Sequence, residues 1–146
     1  MEKIRFFLIT VAILGAMVDP FRLSAQSTAQ LHAGYEKYWQ EDLSYLKKIG
    51  NEKDAHQAAL LVNAMKEDML PKLRQQLVLT DEWKKTHSTQ EVKVEEEWSA
   101  KNPLQSQVAS SQMDLMIRSS KEGGELAEAF KGYMKAMTLV SKKGKM

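Results

Sequence analysis

Residues 125–141, ELAEAFKGYMKAMTLVS, carry the clearest structural signal in the chain. Large apolar side chains recur there at every third or fourth position: Leu126, Phe130, Tyr133, Met137 and Val140. That spacing places them on one face of an α-helix. Glu125 stands at the start of the stretch and Lys142 follows its end, an order of charges that the helix dipole favours. The stretch therefore predicts an amphipathic helix with one buried face.

The same periodicity predicts three further helices earlier in the chain. The link at Gly50-Asn51 is short, with a glycine to stop one helix and an asparagine to cap the next. Pro71 interrupts the second helix, but the apolar stripe keeps its phase across the proline, so we expect a kink rather than an end. The three predicted helices span residues 28–49, residues 52 to about 77, and residues 104–120.

Residues 80–103 are the least regular part of the chain. Thr80 can cap a short helix, and Ser88 with Glu91 has the spacing of a capping box. Valines and a tryptophan in residues 92–98 also fit the alternation of a strand, so helix and strand both stay open, with helix favoured. We predict an all-α fold: an antiparallel helical bundle of about four main helices, with an irregular crossover between the second and the third.

The first 25 residues have the layout of a secretory signal peptide. Lys3 and Arg5 precede an unbroken apolar run at residues 6–18, and the small residue Ala25 offers a cleavage site. A retained anchor would need about 20 apolar residues to span a bilayer. We therefore expect residues 1–25 to be removed and residues 26–146 to form a single helical domain, exported to the bacterial periplasm or the medium, with no stable membrane insertion.

Composition narrows the function further. The chain has no cysteine, which excludes disulfides, thiol catalysis and an acylated-cysteine anchor. Lysine and arginine number 21 against 19 aspartates and glutamates, a formal net charge of +2. So small a net charge gives little attraction to nucleic acid or to an anionic membrane. We therefore expect neither as a partner.

No catalytic motif is present, and we predict neither an enzyme nor a bound cofactor. The sequence lacks a nucleophile elbow, a glycine-rich phosphate loop and a zinc-binding helix motif. Each of the three histidines, His32, His56 and His87, stands alone in the sequence. The closest carboxylate to His56 in helical spacing is Glu52, an ordinary surface pair.

Methionines at helical spacing are the one compositional oddity. Met65 lies four residues before Met69, and Met134 lies three before Met137. Thioethers are soft ligands that can hold Cu(I), so these four residues are the candidates for a periplasmic soft-metal site, the alternative being a site for a small apolar ligand. Methionine also fills gaps in helix cores. We favour packing and do not expect a metal.

Two tryptophans flank an acidic run and form the candidate partner-binding segment. Tryptophan is enriched where interfaces carry their binding energy, although the two indoles could instead close one end of the core. We therefore predict an exported helical bundle that acts through protein–protein contacts or self-association, as an accessory or assembly factor or a small component of a bacterial envelope or secretion machine. The candidate residues are Trp83, Glu95, Glu96, Glu97 and Trp98.

Overall fold

The computed structural model describes residues 27–143, and these residues form five helices and no strand. The all-α prediction is confirmed for them, and none of these helices is both long and apolar enough to cross a bilayer. The predicted signal peptide lies outside the described residues. The helices are α1 (Thr28–Asn51), α2 (Ala55–Lys85), α3 (Thr89–Lys101), α4 (Pro103–Glu122) and α5 (Gly124–Lys143).

The turn between α1 and α2 differs from the prediction. Gly50 does not take a left-handed conformation, and α1 continues through it to Asn51. The cap of α2 is Asp54, whose carboxylate accepts a hydrogen bond from the backbone N–H of Gln57 at 2.8 Å. The predicted glycine stop and asparagine cap are therefore wrong, because the aspartate three residues further on satisfies the helix start.

A left-handed backbone does form between α4 and α5. Gly123 and Gly124 have φ angles of 66° and 55°, a region that only glycine enters without steric cost. These two residues reverse the chain within a single turn. The predicted loop at this position is confirmed, and it makes α4 and α5 antiparallel neighbours.

Helix α2 runs without a break past both of its predicted interruptions. It continues through Pro71, as the phase of its apolar stripe predicts. It also continues through Thr80, which caps nothing: its hydroxyl donates to the carbonyl of Gln76 at 2.8 Å and accepts a hydrogen bond from the Tyr35 hydroxyl at 2.6 Å. Because Thr80 is satisfied within the helix and by α1, the chain has no reason to unwind there.

Residues 89–101 form the regular helix α3, so the favoured helical interpretation of this segment is confirmed, and the crossover is regular where an irregular one is predicted. Ser88 and Glu91 make the predicted capping box: the Glu91 N–H donates to Ser88 Oγ at 3.3 Å, and the Ser88 N–H donates to Glu91 Oε2 at 2.7 Å. The strand alternative fails since these bonds start a helix just before Val92. Only residues 86–88 link α2 to α3.

Helix α1 packs against α2 and α4, and α5 packs against the same two helices. Tyr45 donates to Asp68 at 3.0 Å, near the end of α1 and in the first half of α2, so these neighbours run antiparallel. Arg118, near the end of α4, donates to the backbone carbonyl of Ile49 at 2.8 Å. At the other end, Asn102 donates to Glu36 at 3.3 Å. Helices α1 and α4 therefore run parallel.

The apolar core lies between the four long helices, and α3 contributes the half-buried Trp98 at one end of it. Its largest fully buried apolar side chains come from three of the helices: Leu31, Ile49, Val62, Met65, Met69, Leu126 and Tyr133. One charged residue, Asp42, is fully buried with them. Neither of its carboxyl oxygens has a hydrogen-bond partner.

Candidate functional site

An aromatic and acidic cluster forms where α3 crosses the start of α1. The His32 Nε2 atom of α1 hydrogen-bonds Glu95 Oε2 of α3. The His32 ring stacks on Trp98, with ring centroids 3.5 Å apart and planes 6° from parallel. Trp98 in turn lies 5.8 Å from the ring of Trp39. These four residues, His32, Trp39, Glu95 and Trp98, are called the α3 cluster below.

Glu95 is the unusual member of the α3 cluster. Only 7% of its side chain is exposed. One carboxyl oxygen is bonded to His32, whereas the other, Oε1, is buried without a hydrogen-bond partner. A buried polar atom left unpaired costs about 1–3 kcal/mol, and more when it is charged. Half of this carboxylate is therefore unsatisfied by the protein itself.

Beside Glu95 lies a cleft of about 340 Å³, lined by residues of α1, α2 and α3, by Gln105 near the start of α4 and by Ser141 near the end of α5. It is called the α3 cleft below. Tyr35 and Thr80, joined by their hydroxyl hydrogen bond, form part of its wall. Asp81, Glu95 and Glu96 bring three carboxylates to it against the single ammonium of Lys84, which pairs with Glu96 at 3.2 Å. The cleft is therefore net acidic.

The predicted partner-binding segment divides between the interior and the surface. Trp83 is only 3% exposed and stacks on His87, with ring centroids 4.0 Å apart. Trp98 is half-buried in the α3 cluster. Glu96 and Glu97 are exposed, and Glu97 lies 3.8 Å from Lys101. A partner that bound this end of the bundle could contact Glu96 and Glu97 but not the Trp83 indole. The burial of Trp83 favours the alternative interpretation, in which both indoles close one end of the core.

The candidate copper ligands also differ in their surroundings. Met65 and Met69 are fully buried in the core, Met137 packs against it half-buried, and Met134 is exposed. Core packing accounts for the two fully buried thioethers. Among residues 27–143, no three histidine, cysteine or carboxylate side chains are grouped as metal ligands.

His56 finds a partner that sequence spacing could not indicate. Its Nδ1 atom lies 2.5 Å from Glu125 Oε2 at the start of α5, rather than pairing with Glu52. The hydrogen bond and the negative charge of Glu125 raise the pKa of His56. Both side chains are well exposed, so the pair holds the starts of α2 and α5 together only weakly. Because His56 lies near the start of α2 and Glu125 near the start of α5, their contact shows that the two helices run parallel.

A strip of exposed apolar side chains on α4 was missed by the sequence reasoning. Met113, Met116 and Ile117 are 53%, 43% and 46% exposed. Their spacing of three and four residues places them on one face of the helix, opposite the buried Leu115. The spacing of these residues is visible in the sequence, but residues 104–120 taken alone do not show which face of the helix is buried. These three residues are called the α4 strip below.

The described part of the chain thus offers two candidate sites on different helices. The α4 strip is an apolar surface without a covering element. The α3 cleft is an acidic concavity lined in part by Glu95, whose Oε1 atom is buried and has no hydrogen-bond partner. Comparison of the chain with protein-family models, with curated proteins and with solved structures finds no match.

Proposed function

We propose that the protein is an exported bundle of four long helices that acts through protein–protein contacts, as an accessory or assembly factor or a small component of a bacterial envelope or secretion machine. The signal-peptide layout of residues 1–25 supports export. The α4 strip is the observation that supports a contact function. Helix α3 joins the two antiparallel helix pairs, and none of the helices within residues 27–143 covers the α4 strip.

The α4 strip supports a contact function because its side chains are large, apolar and adjacent. Single exposed apolar residues are normal on a protein surface, whereas a contiguous patch marks an interaction site. Side chains at spacings of three and four residues are the anchors by which a helix face enters a partner's groove. Exposed polar residues, Ser110, Asp114 and Lys121, border the strip as a rim borders an interface.

Site-specific photo-crosslinking in the producing cell tests the contact. A benzoylphenylalanine placed at position 116 is expected to give one defined crosslinked product, either with another protein or with a second copy of the chain. The same probe at position 60, an exposed leucine on α2, is expected to give none. Indistinguishable product patterns at the two positions would contradict the proposal.

Polar substitution of the strip gives the quantitative prediction. The double variant Met113→Gln, Ile117→Gln is expected to reduce crosslinking from position 116 by about tenfold or more, because each apolar anchor removed from an interface costs about 1 kcal/mol or more. The matched control replaces the exposed Leu60 and Leu139, on α2 and α5, with glutamine. Equal loss in both double variants would show that general surface hydrophobicity, not the α4 strip, causes the association.

Export has its own test. Cells that express the whole chain are expected to yield a product that begins at Gln26, because the small residue Ala25 precedes the cut. Intact-mass measurement of the purified protein checks this, and replacement of Ala25 by arginine is expected to leave the precursor uncleaved. If cells that express the unsubstituted chain yield a product that still begins at Met1, the export proposal is contradicted. The contact proposal is not affected by that result.

A further inference from the structure

We infer that Met113 and Met116 form an oxidation site, at which a peroxide converts both thioethers to sulfoxides and so switches off the contact made by the α4 strip. The site itself follows from the exposure of these side chains and from the composition of the chain. Its effect on the contact rests on the proposed function of the strip, so oxidation and contact are measured separately.

The methionines of the described residues lie in two different environments. Met65 and Met69 have no exposed surface, and an oxidant reaches such core side chains only when the fold opens locally. Met113 and Met116 on α4 are exposed, as is Met134 on α5. Peroxide oxidises thioethers that it can reach. The two thioethers of the α4 strip are therefore open to oxidation in the free protein.

Few other groups compete with these thioethers for the oxidant. Cysteine thiolates react readily with peroxide, but the chain has no cysteine. Its three tryptophans are shielded: Trp39 and Trp83 are buried, and Trp98 is half-buried and stacked on His32. Exposed thioethers are therefore the first groups of residues 27–143 that a peroxide oxidises.

The reaction transfers one oxygen atom and two electrons. A lone pair of the methionine sulfur attacks one oxygen of hydrogen peroxide, an S–O bond forms and the O–O bond breaks. The leaving hydroxide takes the proton of the transferred oxygen and departs as water, so the sulfur is oxidised and the peroxide is reduced. Methionine sulfoxide reductases reverse the change with two thiols, which become a disulfide while the oxygen leaves as water.

Oxidation changes the surface of α4 without altering the core beneath it. A sulfoxide is polar, whereas the thioether that it replaces is apolar. Two of the three apolar side chains of the α4 strip thus lose the property that supports a contact. The buried face of α4 packs through Val108 and Leu115, which peroxide does not modify. We therefore expect the oxidised bundle to stay folded and to lose its contact.

Peptide mapping by mass spectrometry, during hydrogen peroxide treatment of the purified protein, tests the site. Met113 and Met116 are expected to gain oxygen at least about tenfold faster than Met65 and Met69, because the core methionines react only through openings of the fold. In a denaturing concentration of urea the four rates are expected to become equal, which would show that the fold causes the difference. Equal rates in the folded protein overturn the inference.

Photo-crosslinking in the producing cell tests the effect on the contact. Ser120 is exposed and lies one helical turn beyond Met116, so a benzoylphenylalanine at position 120 leaves both methionines in place. Brief exposure of the cells to hydrogen peroxide is expected to reduce the crosslinked product by about tenfold, because each apolar anchor that becomes polar weakens an interface.

The variant Met113→Leu, Met116→Leu is the decisive comparison, since leucine keeps the strip apolar and is not oxidised. It is expected to keep its crosslinked product in peroxide, and oxidation of the partner itself affects both strains equally. The matched control, Met134→Leu, is expected to respond as the wild type does. An equal response of wild type and the leucine double variant to peroxide overturns the switch. If untreated wild type gives no product, the proposed contact and the switch both fail, whereas the order of oxidation still decides the site.

Discussion

Replacing Asp42 with asparagine is expected to raise the free energy of unfolding at pH 7.5 by up to about 3 kcal/mol. The Asp42 carboxyl is fully buried and has no hydrogen-bond partner. Burial raises its pKa from 3.8 to about 6, and the Tyr133 hydroxyl, whose contact with the carboxylate falls short of a well-formed hydrogen bond but still favours the ionised form, offsets this only in part. One pKa unit corresponds to about 1.36 kcal/mol, which gives the expected figure. Asparagine keeps the shape of the side chain and removes the buried charge.

The pH dependence of the wild type follows from the same shift. Between pH 3.8 and about pH 6 the folded state holds a proton on Asp42 that the unfolded state releases. The unfolding free energy from this group therefore falls as pH rises through that window and stays level above it. Asp68 and Glu91 act in the opposite direction at lower pH, because hydrogen bonds from Lys72 and from Ser88 lower their pKa values.

Urea denaturation of the wild type and of the Asp42→Asn variant at pH 4, 5, 6 and 7.5 isolates the contribution of Asp42. The stability difference is expected to be small at pH 4 and largest at pH 7.5, since asparagine does not titrate. Asp114→Asn, at an exposed position on α4, is the matched control and is expected to change stability by less than about 0.5 kcal/mol. A difference between wild type and Asp42→Asn that does not vary with pH would show that the carboxyl is not buried as described.

Replacing Phe130 with alanine is expected to lower the free energy of unfolding by about 3–5 kcal/mol. Phe130 is buried in the core, with its ring centroid 6.5 Å from that of Tyr133. Truncation removes most of an aromatic side chain and leaves a cavity that the surrounding helices fill only in part. Because domains of this size are stable by only about 5–15 kcal/mol, this loss is a large fraction of the total.

Thermal and urea unfolding of Phe130→Ala, each with far-ultraviolet circular dichroism, measure the loss. The matched control is Leu139→Ala on the same helix, where about half of the side chain is already exposed; a change below about 1 kcal/mol is expected there. A change below 1 kcal/mol in Phe130→Ala would mean that α5 does not pack through this residue.

The regular helices could be predicted because their signals are local. The stripe from Leu126 to Val140 needs no information from the rest of the chain, and α5 matches its prediction to within a residue or two at each end. The capping box at Ser88 is local in the same way. Helix class and the approximate bounds of α1, α4 and α5 follow from spacing alone, whereas α2 continues to Lys85, beyond its predicted end near residue 77.

The predictions are wrong where a contact between residues far apart in the sequence determines the local structure. Threonine is a residue type that favours helix N-caps, but the hydrogen bonds of Thr80 with Gln76 and Tyr35 keep it inside α2. Residues 89–101 have a mixed pattern because Glu95, rather than an apolar residue, is the buried position of α3. No sequence rule predicts a buried glutamate, since its burial depends on a histidine 63 residues away.

The candidate sites show the same limit. The sequence indicates the acidic segment as a candidate site. The cleft beside that segment, however, is lined by Tyr35, Thr80 and Glu95, which come from three helices. A helical wheel of α4 places the three residues of the α4 strip on one face. Which face of α4 is buried, however, depends on the helices that pack against it. Leu115 packs inward while Met116 does not, and only the contacts with α1 and α5 settle which of the two is exposed.

The parallel arrangement of α1 with α4 governs the order in which the chain can assemble. Tyr45 and Asp68 are 23 residues apart, so the first hairpin of helices can close early. Ile49 and Arg118 are 69 residues apart, and His56 and Glu125 are equally distant. The entropy lost in closing a loop grows with its length, and contacts between distant segments form more slowly. We therefore expect docking of the two hairpins, which α3 tethers to each other, to be the late step of folding.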